Sequence, residues 1–136
     1  MVSPSASPSY APRFLVIEDE LLIALLLEET IREFGYRVSA VARTIPEARR
    51  EFAKRNFDAV LLDINIDGRY NTEIADLLLR EHIPCAFVTG YDYLVEPRHE
   101  HIPVLPKPFS RAQLRALLVG LVGSTTSHSR QARQPA

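Results

Sequence analysis

Four places in the 136-residue chain carry side chains able to do chemistry together: the acidic run Glu18-Asp19-Glu20, Asp63, Thr89 and Lys107. Each closes a short apolar run, in turn RFLVI, FDAVLL, IPCAFV and IPVLP. Carboxylates gathered on their own repel one another and drive at least one pKa upward, so such a group needs a cation to stay ionised. Two cations suit it, a divalent metal and Lys107. A small set of hard oxygen ligands matches Mg²⁺, which keeps several waters and also takes phosphate oxygens. Asp63, facing that metal from a neighbouring strand, is then placed as a nucleophile toward phosphorus, giving an aspartyl phosphate. Thr89 can donate a hydrogen bond to the phosphoryl group while Lys107 pairs with another of its oxygens. Catalysis of this kind is mostly positioning and charge neutralisation.

Taken singly, these residues mean little. An aspartate at a strand end is more often a cap or turn former, a threonine there a β-former, and a lysine a solvated surface group. The combination gives them meaning. Glu20 reads differently, as a first-turn helix acid favoured by the helix dipole and not as a ligand.

Positioning these groups requires strand ends that meet at one edge. RFLVIE (13–18), YRVSAVA (36–42), FDAVLLDI (57–64), IPCAFVT (83–89) and IPVLPK (102–107) read as strands, the third nearly continuous in apolar residues as expected when both faces are covered. Helical segments separate them. The first, DELLIALLLEETIREFG, is closed by Gly35, and the second has Thr44 as N-cap with Pro46 in its first turn. The third covers 72–82, and the last begins at Ser110, which with Gln113 matches a capping box. Residues 65–71 read as a loop. The span 90–101 has no sustained helical repeat, so any fourth helix is truncated or absent. This alternation predicts an α/β, doubly wound (βα)5 fold with a five-stranded parallel sheet, whose ligands bind beyond the carboxyl ends of the strands.

The acidic pair Glu18-Asp19, Asp63 after VLL, Thr89 after the fourth strand and KPF at 107–109 occur in an order that resembles the response-regulator receiver domain of two-component signalling, over nearly all of residues 13–122. The resemblance implies a flavodoxin-like fold. It makes Asp63 the phosphoacceptor, with Mg²⁺ held by Glu18, Asp19, Asp63 and the backbone carbonyl of Asn65, and with Thr89 and Lys107 reading the phosphoryl group. It implies a cis bond from Lys107 to Pro108, where such a bond costs little. Three residues before the lysine, many receivers place an aromatic switch; here stands Val104. The stretch FVTGYDY resembles a Phe-Ala-Thr-Gly-aromatic subgroup of receivers, which shifts the expected switch role to Tyr91 or Tyr93, next to Thr89.

The function implied is that of a single-domain response regulator, a phosphoprotein of a phosphorelay and not a turnover enzyme. It would take its phosphoryl group from a histidine kinase or histidine phosphotransfer protein and signal to an unknown downstream protein. Alternatives are a relay shuttle, a phosphate sink, or the receiver fragment of a longer regulator. A phosphatase-like hydrolase fits less well, because Asp63 follows the third strand and position 65 is asparagine.

Composition sets the outer bounds. Sixteen Lys plus Arg against seventeen Asp plus Glu give a net charge of -1, which favours neither nucleic acid nor an anionic membrane. The longest uncharged apolar run, LLIALLL at 21–27, is far short of the ~20 residues that span a bilayer and reads as core. A lone cysteine, Cys85, fits a cytoplasmic chain without disulfides, and a monomer or weak dimer is expected. HEH at 99–101 reads as a solvated loop in preference to a metal site. The Ser/Pro-rich residues 1–12 and the polar residues 123–136 read as disordered tails around one domain, 13–122.

Overall fold

A computed structural model describes residues 11–90 and 96–133. In chain order the elements are β1 (Arg13–Ile17), α1 (Leu21–Glu33), β2 (Arg37–Ala42), α2 (Ile45–Lys54), β3 (Ala59–Leu62), β4 (Asn65–Ile66), β5 (Arg69–Tyr70), α3 (Glu73–Arg80), β6 (Cys85–Thr89), a 3-10 turn (Pro97–His99), β7 (Val104–Pro106) and α4 (Arg111–Arg133). Five strands form one parallel sheet in the order β2-β1-β3-β6-β7. The order reverses between β1 and β3, which leaves a crevice beyond their carboxyl ends.

Because side chains alternate across a strand, each strand feeds two cores. Leu15, Ile17, Val60, Leu62 and Phe87 pack with α2 and α3 on one face. Phe14, Val16, Leu61 and Val88 pack on the other with Leu27 and Ile31 of α1 and Leu114 and Leu118 of α4. The helix ends follow the sequence signals. At the end of α1 the Tyr36 amide donates to the Ile31 carbonyl (3.2 Å) and the Gly35 amide to Arg32 (3.0 Å), a Schellman pair that Gly35 permits at φ +90°. Thr44 Oγ1 accepts from the Glu47 amide at 3.2 Å. Ser110 and Gln113 form the reciprocal capping box, at 2.8 and 3.0 Å.

Several expectations need correction. Of LLIALLL only Ala24 and Leu27 are buried, while Leu21, Leu22, Leu25 and Leu26 are exposed, Leu22 at 79%. A seven-residue apolar run wraps almost two turns, and a helix lying on a sheet can bury only one stripe of it. Residues 65–70 are not loop but the hairpin β4–β5, whose tip has Asp67 at φ +56° and Gly68 at φ +75°, the signature of a type I′ turn. The backbone of α4 continues past Gly123 to Arg133, with no proline to interrupt its hydrogen bonding before Pro135. Between β6 and β7 the only helical turn among the described residues is the short 3-10 turn, in keeping with a truncated fourth helix. Val104 lies opposite Phe87 in the β6–β7 ladder and packs against the core. The Lys107–Pro108 bond is cis. No helix among the described residues is long and apolar enough to cross a membrane.

Candidate functional site

At the crevice, Lys107 is the centre of the arrangement. It follows β7, and its amide donates to the Thr89 carbonyl at 2.8 Å, which ties it to the end of β6. Its Nζ lies 2.8 Å from Asp63 Oδ2, 2.9 Å from Glu18 Oε1 and 2.9 Å from Glu20 Oε1. Burial works against its charge, but the hydrogen bonds to Asp63 and Glu20, with the Glu18 carboxylate beside it, outweigh that and hold its pKa above the ordinary lysine range.

Asp63 is buried immediately after β3. Its own amide donates to the Ile17 carbonyl at 2.9 Å, fastening it beside the end of β1, and its Oδ1 accepts the Asn65 amide at 2.9 Å. One carboxylate oxygen is thus held by backbone and the other by an ammonium. Glu18 is fully buried; its amide donates to the Ala42 carbonyl at 2.9 Å and its Oε2 accepts the Glu20 amide at 3.1 Å. Burial pushes the Glu18 carboxyl up to about 7, against the pull of Lys107 and the Glu20 amide. Glu18 Oε1 has the ammonium beside it but no aligned hydrogen-bond donor. That buried oxygen retains lone pairs for a cation.

The sequence-predicted residues therefore fall into four groups. Glu18, Asp63 and Lys107 meet, with Thr89 buried at the adjoining strand end. Asp19 stands apart from Lys107: its Oδ2 accepts the Asp67 amide at 2.7 Å from the tip of the β4–β5 hairpin, and its carbonyl accepts Arg43 Nη2 at 3.1 Å. Asn65 contacts Asp63 through its amide. Tyr91 and Tyr93 lie outside the described residues.

Glu20 was not expected in this group. It occupies the N-cap of α1 with no capping hydrogen bond from its side chain, which reaches Lys107 instead. One oxygen each from Glu18, Glu20 and Asp63 lies within 4.8 Å of the others, a spacing that a single hard cation can bridge. The two buried carboxylates among them, Glu18 with its free oxygen and Asp63, fit Mg²⁺, while Glu20 stands at the exposed rim.

Of HEH, read as a solvated loop, the first member is not solvated. His99 is buried, with Nε2 2.7 Å from Asp76 Oδ1 and its ring edge-on to Phe87, while His101 is exposed.

A parallel sheet of this strand order, with buried acids and a lysine at its switch point, defines the flavodoxin-like receiver class. The family model described as the response regulator receiver domain matches residues 14–119, and the chain belongs to that family. It is 34% identical over 113 residues to the phyllosphere-induced regulator PhyR of Methylorubrum extorquens, covering 79% of this chain but 42% of that protein. It resembles the solution structure of SdrG from Sphingomonas melonis Fr1, with TM-score 0.74, 31% identity, and coverage of 82% of this chain and 97% of that one. The response regulator PhyR from Brucella abortus is similar with TM-score 0.78 and 28% identity, covering 90% of this chain and 52% of that one. The chain thus spans about half the length of the PhyR proteins it matches.

Proposed function

We propose that this chain is a phosphoacceptor. Asp63 takes a phosphoryl group from the phosphohistidine of a histidine kinase or phosphotransfer protein, and the phosphorylated domain signals by contact with another protein in the cytoplasm. The observation that carries this reading is the 2.8 Å pairing of Lys107 Nζ with a buried Asp63 carboxylate, beside a fully buried Glu18. A structural ion pair would need one acid. Here several acids surround one ammonium, which leaves unbalanced negative charge for a dication and a phosphoryl group to meet.

In the transfer, a carboxylate oxygen of Asp63 forms the bond to phosphorus as the phosphorus–nitrogen bond of the donor breaks, and the electron pair leaves with the imidazole. Asp63 Oδ1 is oriented by the Asn65 amide, so Oδ2, whose partner is a movable ammonium, is the oxygen that attacks. Lys107 then follows the charge onto the phosphoryl oxygens, and the Thr89 hydroxyl donates to another. Glu18 and Asp19, with Asp63 and the Asn65 carbonyl, would hold Mg²⁺, which neutralises the phosphoryl oxygens during transfer. Asp19 must release the Asp67 amide to join them.

The test is incubation of the full chain with Mg²⁺ and acetyl phosphate, followed by intact-mass measurement. Wild type is expected to gain the mass of one phosphoryl group, and Asp63→Asn none. Equal modification of both would remove Asp63 from the reaction.

A further inference from the structure

Glu20 makes contacts that its position does not explain. An acid at a helix N-terminus normally serves the first free amides of that helix. The Glu20 backbone is extended there (φ -80°, ψ 113°), as an N-cap residue should be, yet its side chain makes no capping bond. The carboxylate instead accepts from Lys107 Nζ at 2.9 Å across 87 residues of sequence. Its amide meanwhile braces Glu18 Oε2 at 3.1 Å. Glu20 is exposed while Asp63 and Glu18 are buried, so the three acids offer Lys107 two inner partners and one at the rim.

We propose that Glu20 is a positioning residue that acts through Lys107, drawing the ammonium toward the rim when a divalent cation occupies Glu18 and Asp63. This rests on the phosphoacceptor reading and assigns that site a residue the family motif does not include. The reasoning is competition. The buried Glu18 Oε1, without an aligned hydrogen-bond donor, and Asp63 Oδ2 both face Lys107 Nζ, so a cation entering there meets the lysine's charge first. Asp19 does not relieve the conflict, because it makes no contact with Lys107 and its carboxylate is assigned to the metal. Glu20 can, since it offers the ammonium a carboxylate outside the metal's oxygens. Without Glu20, Lys107 remains on the inner acids and weakens cation binding.

The experiment is a titration of the full chain with Mn²⁺ alone, followed by electron paramagnetic resonance of the free ion, with Mg²⁺ as competitor. Glu20→Gln is expected to weaken binding about five-fold, the scale of one partly exposed charged contact. Glu29→Gln, which removes an exposed charge from the outer part of α1, should stay within about 1.5-fold of wild type. In a Lys107→Ala background the effect of Glu20→Gln should largely vanish, because the lysine through which it acts is gone. Circular dichroism establishes that each variant is folded, and Glu20→Asp, which keeps the charge, is expected to recover part of the loss.

Binding by Glu20→Gln equal to wild type overturns the proposal. So does an undiminished effect in the Lys107→Ala background, which would make Glu20 a direct ligand. Failure of wild type itself to bind either ion would overturn the phosphoacceptor reading first.

Discussion

Lys107 Nζ and Asp63 Oδ2 stand 2.8 Å apart although 44 residues separate them, and each is fixed by the backbone of a neighbouring strand: the Lys107 amide on Thr89, the Asp63 amide on Ile17. The register of the sheet therefore sets the backbone positions from which the two side chains meet. Under the phosphoacceptor reading, a phosphoryl group on Asp63 would enter a space where its counter-charge already waits.

Removing that counter-charge should be costly in the metal-free protein. Lys107→Ala leaves Glu18 and Asp63 buried side by side without a cation, and breaking a pair of this kind costs about 3 kcal/mol. Thermal unfolding should show a lower Tm for Lys107→Ala in chelator, with much of the difference restored by Mg²⁺. A variant as stable as wild type in chelator would mean that the acids are held by something other than Lys107.

The β4–β5 hairpin holds Asp19, and its geometry depends on one glycine. Gly68 sits at φ +75° with open space around the position of an added Cβ, so Gly68→Ala meets no clash and costs only backbone strain, about 1 kcal/mol. We expect a small drop in Tm together with altered Mn²⁺ affinity, because Asp67 no longer presents its amide to Asp19 in the same way. Unchanged affinity would show that the hairpin does not govern Asp19.

Much of this was legible in the sequence, for reasons that differ by residue. The convergence of Asp63, Thr89 and Lys107 follows from each ending an apolar strand of a parallel sheet, where topology alone brings strand ends together. The Ser110–Gln113 box and the Gly35 cap are local devices that involve only a few neighbouring residues. Glu20 was misread because local rules assign an acid beside a helix start to that helix, and only the tertiary position of Lys107 reassigns it. The hairpin leaves only its turn signal, Asp67-Gly68, in the sequence, since two-residue strands show no alternation. The burial of His99 left no periodic trace, being decided by Asp76 on α3 and Phe87 on β6.

The outward leucines of α1 give a direct contrast with its buried ones. Leu22→Ser should change stability by less than about 0.5 kcal/mol, as surface substitutions do, whereas Leu27→Ala opens a cavity between helix and sheet and should cost about 2–5 kcal/mol. Chemical denaturation of the two variants reads the difference. A large loss from Leu22→Ser would mean that the outer face of α1 is covered in solution.

The connection between β6 and β7 is clasped to α3 by Asp76. Its Oδ1 accepts from Arg98 Nε at 2.8 Å and faces His99 Nε2 at 2.7 Å, and its Oδ2 accepts from Arg98 Nη2 at 3.2 Å. The Arg98 hydrogen bonds draw the Asp76 carboxyl down to about 2 from about 3.8, against some desolvation and with help from His99. Because the folded value lies below the unfolded one, the clasp contributes fully above about pH 4 and is lost as pH falls toward 2. Asp76 is about one third exposed, so solvent screening reduces the contribution to about 1 kcal/mol. Asp76→Asn should therefore lower Tm by a few degrees at pH 6 to 7, and its curve should approach that of wild type as pH falls from about 4 to about 2. A constant offset between the two curves across that range would show that the side chain supports the turn through packing and not through its charge.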